Sequence, residues 1–424
     1  MARKMKDSGI EWIGEIPEGW SIARGKHILT LLQRAVFPTD GVITCFRDGE
    51  VTLRSNRRED GFTVSLKEIG YQGIEPGDLV VHGMDGFAGS IGISDSRGKS
   101  SPVLVVLDSS QDKKYLMYYL RSMAYNNVFL ALSTGIRVRS CDLKWNKLAD
   151  LLYLVPPIVE QHKLVSFLDE KCSEIDAMLS KTRASIEEYK KLKQAVITQA
   201  VTKGVRGERE MKDSGNPWFG QIPTDWKLSR VGLHFSIILG KMLCNAPLND
   251  TYTLEPYYCA ADVHFDGVAD GERKKMWFSP IEKDLYRVSV GDLLVVEGGA
   301  GAGGSAIVEN QDSYTYIQNS IMIVRSKGNA DSRYLRYLLE FLVKQGYIDV
   351  VCNKATIPHF TKDKLSCVPF CLCPTGEQKE IADYLDAKCA EIDRLIAKKE
   401  KLVKELESYK KSLIYEVVIG KREV

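Results

Sequence analysis

Four groups of residues in this chain of 424 have the types, though not always the spacing, of chemical sites. Arg97-Gly98-Lys99-Ser100 ends like a phosphate-binding loop, in which backbone N–H groups and a lysine cradle phosphate oxygens. That motif needs a glycine five residues before Gly98; Ile93 stands there and Gly92 is one position too far, so the segment reads as a loop. The run 298–304, GGAGAGG, comes after an apolar stretch ending at Val296, where a glycine-rich turn approaches a cofactor phosphate in dinucleotide-binding folds. The next residues, Ser305-Ala306-Ile307-Val308, read as a strand and not as the helix whose dipole that binding uses, so a hairpin connection is expected. Asp292 and Glu297 flank a strand as nuclease carboxylates do, but Gly299 holds the place of the completing lysine, and the first half of the chain has His82 where Glu297 falls. Cys367, Cys371 and Cys373 are spaced C-x3-C-x-C, which is not a zinc pattern, and are expected to be reduced thiols near a strand. The six histidines show no metal or triad spacing, and the (N/D)PP(Y/F) tetrapeptide of amino-methylating enzymes is absent. The chain therefore reads as non-catalytic, without a metal and without a cofactor of its own.

The elements that must position any site come in two copies. MKDSGIEWIGEIPEGWSIAR at 5–24 returns as MKDSGNPWFGQIPTDWKLSR at 211–230, with eleven of twenty positions identical. EQHKLVSFLDEKCSEID at 160–176 returns as EQKEIADYLDAKCAEID at 377–393. Between these ends only fragments match, among them Gly77-Asp78-Leu79-Val80-Val81 with Gly291-Asp292-Leu293-Leu294-Val295-Val296. A tandem repeat with similar ends and dissimilar centres is one scaffold used twice to hold two different things.

Each repeat closes in a long helix. Leu164, Leu168, Cys172, Ile175, Leu179, Thr182, Ile186, Tyr189 and Val196 make one narrow stripe; Ile381, Leu385, Cys389, Ile392, Ile396, Val403, Leu406 and Leu413 make the other. Steps of three and four residues are those of a coiled coil. About 40 residues at 1.5 Å each give a rod of roughly 60 Å. A two-fold relation between the repeats runs the two helices antiparallel against each other; the alternative is that both pair with outside subunits. Thr182 and Lys399 in the seam are candidates for setting register. The centres read as mixed α/β, with strands at 78–81, 103–107, 151–155, 292–296 and 320–324 and helices at 115–123 and 334–343. The fold class expected is α+β: two mixed α/β domains separated by two long helices in an antiparallel coiled coil, a pseudo-two-fold tandem repeat. The boundaries are 1–157 and 205–374 for the domains, 158–204 and 375–424 for the helices.

Hydrophobic residues make up 44% and charged residues 27%, ordinary for a globular protein, and net charge is only +2. A global basic surface is excluded, so any nucleic-acid contact must be local. There is no apolar run of membrane-spanning length, and Met1–Gly9 is polar, unlike a secretory signal, so a cytoplasmic location is expected.

The MKDSG-x2-W-x-G-x-IP-x2-W openings at Met5 and Met211 resemble those of the specificity (S) subunits of type I restriction–modification systems. So do the helix entries Pro156-Pro157-Ile158-Val159-Glu160-Gln161 and Pro374-Thr375-Gly376-Glu377-Gln378, similar to that family's PPLxEQ pattern. Phe167-Leu168-Asp169 and Tyr384-Leu385-Asp386 are similar to its (F/Y)-LD step; the second entry departs, with Cys373 in place of one proline. The resemblance covers essentially the whole chain. It implies two target-recognition domains reading a bipartite, asymmetric double-stranded DNA site, and helices that dock two methyltransferase subunits. Two restriction/translocase subunits would join for cleavage. S-adenosylmethionine and ATP with Mg would belong to those partners, and the modification would be adenine-N6 methylation. Alternatives are a specificity subunit of a modification-only complex, a coiled-coil scaffold with two protein-binding heads, and a nucleotide-using enzyme built on 298–304.

Base readout uses Arg, Lys, Asn, Gln or His reaching the major groove. In the first unit the candidates are Arg54, Asn56, Arg57 and Arg58, then His82, then Arg137, Arg139 and Lys144. In the second they are Arg273, Lys274 and Lys275, then Asn353, Lys354, Thr356 and His359. The glycine-rich turns after Val81 and Val296 are further candidates, for phosphate.

Overall fold

The apolar runs of the first half assemble into a four-stranded antiparallel sheet. Its strands are β1 (Leu29–Leu31), β2 (Leu79–His82), β3 (Ile91–Ile93) and β4 (Leu104–Ser109), in the order β1-β4-β2-β3. Leu79, Val80 and Val81 are all fully buried, so both faces of the sheet are covered. The alternation of a strand sorts them. Leu79, Val81 and Ile91 join the main core with α1 (Lys113–Tyr125), whereas Val80 and Val106 join a separate core with Ile43, Cys45, Val51 and Ile74. The second face is thus covered by the hairpin of Ile43–Cys45 with Val51–Leu53, which lies in the part of the chain that the second repeat does not share. The structure, a computed structural model, describes residues 3–57, 68–131, 143–310, 314–352 and 358–424.

The first long helix, α2, runs Ile158–Lys203. After it the same sheet is built again from β5 (Phe235–Leu239), β6 (Leu293–Val296), β7 (Ser305–Ile307) and β8 (Ile321–Ser326), in the order β5-β8-β6-β7. Leu293, Val295, Met322 and Val324 face the core that holds α3 (Ser332–Lys344). Leu294, Val296, Ile321 and Ile323 face the other way, onto Tyr258, Val263 and Val288. Here the outer cover differs: Thr253–Tyr258 pairs with Lys274–Phe278 and, in parallel, with Tyr316–Ile317. Each sheet therefore turns one face to the repeated scaffold and the other to a unit-specific layer. The second long helix, α4, spans Thr375–Val418.

The chain divides into two compact units, Met1–Ala184 with Glu400–Val424 and Ser185–Lys399, so each unit contains part of both long helices. In the first, Asp176 pairs with Lys410 at 2.7 Å and Arg183 with Glu407, so rising numbers on α2 meet falling numbers on α4. In the second, Lys193 pairs with Asp393 at 2.6 Å and the Lys399 ammonium lies 5.7 Å from the Tyr189 ring centre, again antiparallel. The stripe forecast for α2 is buried from Leu164 to Ile186, but beyond it Ile197 is fully buried and Val196 only half-buried. Thr182 gives its hydroxyl to Met178 O at 2.7 Å in its own helix, which satisfies the polar group within the seam.

The repeated motifs are latches. Gln161 is fully buried: its Oε1 accepts from Asp112 N (3.0 Å) and its Nε2 donates to Pro156 O (2.8 Å). Gln378 does the same for Asp331 N (2.9 Å) and Cys373 O (2.8 Å). Asp112 and Asp331 in turn cap α1 and α3, each accepting from two backbone N–H groups. Asp169 and Asp386 each accept a tyrosine hydroxyl, from Tyr118 and Tyr337, at 2.8 Å. Trp20 and Trp226 are buried, with Arg3 and Arg209 over their rings and paired to Glu160 and Glu377. These shared residues thus join a domain to a helix.

One local expectation is corrected. Gly98–Ser100 is not a loop but a short strand paired with Gln72–Ile74. Arg97 beside it is held by Asp40 at 3.1 Å and by Glu75.

Candidate nucleic-acid interface

Because the shared residues serve the scaffold, the candidate contact residues are sought in the unit-specific layers and at the strand ends beside them. In both units the turn after the central strand meets the segment that leads into the long helix. Leu143 N donates to Gly83 O at 2.9 Å; Phe360 N donates to Glu297 O at 2.6 Å, and Gly299 N to Pro358 O at 3.2 Å. Two candidate regions distant in sequence are thereby adjacent in each unit. The run 298–304 connects β6 to its antiparallel neighbour β7, the hairpin expected and not a phosphate loop leading into a helix.

The register corrects the correspondence between the copies. His82 stands opposite Leu104, and Val296 opposite Ile321. Gly83 N donates to Val103 O as Glu297 N does to Ser320 O. The residue in the place of His82 is therefore Val296, fully buried, and Glu297 corresponds to Gly83.

Arg54 and Asn56 lie on a 3-10 turn after Val51–Leu53, with Arg57 next in the chain. Arg54 Nε donates to Thr44 Oγ1 (3.3 Å) and Asn56 Nδ2 to Thr52 Oγ1 (3.0 Å). Arg57 pairs with Asp48 at 2.6 Å and Glu50 at 3.1 Å, and its guanidinium carbon lies 4.2 Å from the Phe46 ring centre. Hydrogen bonding to Asp48 raises the Arg57 pKa. Burial is the largest influence on Asp48 and opposes its charge, but the hydrogen bonds from Arg57 and from Glu50 N, with the charges of Arg57 and Arg121, together outweigh it and hold the carboxyl below its ordinary range. Arg57 and His82, far apart in sequence, line one hollow of about 650 Å³ with Phe46, Arg47, Asp48 and Asp85. Its inner side includes Cys45, whose thiol burial pushes up to about 12. Lys144 lines another hollow of about 650 Å³ with Arg34, Tyr71, Gln72 and Trp145. Arg58, Arg137 and Arg139 lie outside the described residues.

In the second unit Lys274 and Lys275 are exposed at the start of the strand Lys274–Phe278. Arg273 turns inward: it pairs with Asp262 at 3.2 Å and lies 4.7 Å from the Tyr258 ring centre. His359 is exposed, and its backbone bridges to Gly298. Asn353, Lys354 and Thr356 lie outside the described residues. Sequence reasoning missed Arg47, Asp48 and Asp85, which reach the His82 hollow from segments remote from one another. Among the described residues no group of three or more His, Cys, Asp or Glu is placed to hold a metal ion, and no helix is long and apolar enough to cross a membrane. Cys371 and Cys373 are buried at a strand end, and burial raises both thiols.

Residues 224–406 match the family model of the type I restriction modification DNA specificity domain. Over 437 aligned residues the chain is 25% identical to a protein provisionally named the MjaX type I restriction enzyme specificity subunit of Methanocaldococcus jannaschii, covering 96% of this chain and 95% of that one. Two solved structures share the fold. One is a chain from a study of complex assembly and conformational transition of the type I R-M system, with TM-score 0.72, 16% identity and coverage of 96% and 99%. The other is the HsdS subunit from Thermoanaerobacter tengcongensis, with TM-score 0.53, 17% identity and coverage of 96% and 98%.

Proposed function

We propose that this chain, which carries the type I restriction modification DNA specificity domain, is the DNA-recognition subunit of a type I restriction–modification complex. It reads a bipartite, asymmetric site and does no chemistry itself. The observation that carries the reading is the pair of sheets: one strand order twice, one face against a repeated scaffold and the other against a layer peculiar to each unit. A scaffold that holds two different outer layers suits a protein that must recognise two different half-sites with one framework. The remaining parts of the reading rest on this division of labour. The long helices dock two methyltransferase subunits, which bring S-adenosylmethionine and methylate adenine N6 in both half-sites. Restriction/translocase subunits add ATP-dependent cleavage, and the complex works in the cytoplasm. The DNA-facing surface includes Arg54, Asn56, Arg57, His82 and Lys144 in the first unit and Lys274, Lys275 and His359 in the second.

The test is a map of adenine methylation in the host genome with and without the gene. Loss of one split, asymmetric motif on deletion is the expected result. Unchanged methylation would mean that the two heads bind something other than DNA, as a coiled-coil scaffold would.

A further inference from the structure

The hollow at the end of β2 contains polar groups that the shared sheet does not require. His82 and Ser90 face each other across the hairpin, with His82 N donating to Ser90 O at 3.0 Å. In the second unit the same backbone bond runs from Val296 N to Gly304 O, so the scaffold closes equally well with a valine and a glycine there. Ser90 is fully buried, lines the hollow, and its Oγ has no hydrogen-bond partner. A buried hydroxyl without a partner costs stability, so its presence calls for a role.

The imidazole is set in one tautomer. His82 Nδ1 accepts from Asp85 N (3.0 Å) and Met84 N (3.3 Å), so its lone pair is occupied and the neutral ring carries its proton on Nε2. A second proton at Nδ1 would confront two N–H donors. Burial opposes the imidazolium as well, and the pKa is lowered despite Asp85 nearby. His82 is therefore a neutral ring with a single N–H to offer.

The charge of the hollow argues against phosphate. Its two arginines already hold carboxylates, Arg47 with Asp85 at 3.1 Å and Arg57 with Asp48 at 2.6 Å. Two arginines against two carboxylates leave no net charge to draw an anion. A neutral edge with hydrogen-bonding atoms is the better complement, and in the major groove a single donor finds its acceptor in the N7 that both purines present. Resting on the DNA-recognition reading above, we infer that this hollow takes the major-groove edge of a purine in the half-site read by the first unit, with His82 Nε2–H donating to N7.

The test uses the methyltransferase assembly containing the full chain, and duplex probes carrying its methylation motif with single 7-deazapurine replacements. In the native assembly one purine of one half-site, replaced by its 7-deaza form, should weaken binding about fivefold to tenfold, the lower end for a base contact. His82→Val, the residue at the equivalent place in the second unit, should lose the same factor on the normal probe. It should show no further loss on the deaza probe, and keep every preference of the other half-site. His82→Asn, which retains an N–H, should recover part of the affinity. The inference is overturned if His82→Val keeps the native motif and deaza profile. It is equally overturned if no purine of either half-site is sensitive to loss of N7 in the native assembly, a result that stands even should the valine variant misfold. Failure of the underlying reading looks different: the same motif would be methylated by an assembly lacking this chain.

Discussion

At the scale of single residues, the duplication separates what holds the protein together from what distinguishes its halves. Gln161 and Gln378 illustrate the first kind. Each uses both ends of its amide inside a fully buried site, tying the cap of a short helix to the start of a long one. Replacing Gln378 with Ala removes two hydrogen bonds and leaves Asp331 N–H and Cys373 O without those partners. A cost of about 2–4 kcal/mol is expected. Urea unfolding of the full chain, monitored at the tryptophans, should show the midpoint falling for the transition of the second unit. Gln161→Ala should do the same to the first. A change of a few tenths of a kcal/mol in either would mean that water replaces the amide and that the latch lies elsewhere. His82 belongs to the second kind: its counterpart is an aliphatic side chain on the same backbone, and although its Nδ1 accepts from the turn that follows, its Nε2–H answers to something other than the fold.

At the scale of elements, the long helices show where stability resides. The cross-helix pairs look extensive, but Asp176, Glu407 and Asp393 are about half exposed, and such pairs contribute roughly 0–1 kcal/mol each. Leu413, 1% exposed in the core of the first unit, is a different matter. Leu413→Ala should cost about 2–5 kcal/mol, and Asp176→Ala less than about 1 kcal/mol, both read from the denaturation midpoint of the first unit. An equal effect of the two would show that the seam is held by charge. These helices were legible in the sequence because a coiled-coil stripe is a local periodic signal. The central strands were legible too, since runs such as Leu293-Leu294-Val295-Val296 are apolar on both faces. What was not legible came from contacts between distant segments. Gly98–Ser100 has no strand-like composition and is a strand because Gln72–Ile74 lies beside it. The match of His82 to Glu297 failed because it aligned the ends of the apolar runs. The Gly-Asp pairs that open both strands, with Asp78 and Asp292 each held by an arginine, keep the true register. The His82 hollow was only partly visible, because Arg47 and Asp85 meet across a separation of 38 residues.

At the scale of the whole molecule, the decisive quantity is a net charge of +2, small for a chain proposed to grip DNA. The structure narrows the supply of free cations further. Arg57, Arg47 and Arg273, which would otherwise count toward a phosphate-binding surface, hold carboxylates within the chain. Each such pair must exchange a carboxylate for a phosphate before it releases a counterion, and affinity for the DNA backbone grows with the number of counterions released. The isolated chain should therefore bind a duplex weakly, with a dissociation constant of about 10⁻⁶ M or higher at physiological salt, and with a shallow dependence of log K on log salt. Adding the methyltransferase subunits should tighten binding and steepen that slope, because their cations would supply the missing phosphate contacts. Sequence selectivity should still track this chain, since base contacts and phosphate contacts are separate contributions. Fluorescence anisotropy with one labelled duplex between about 50 and 200 mM salt measures both slopes. A steep slope with tight, selective binding by the chain alone would place the phosphate clamp here, and would require the carboxylate partners of these arginines to give way at little cost.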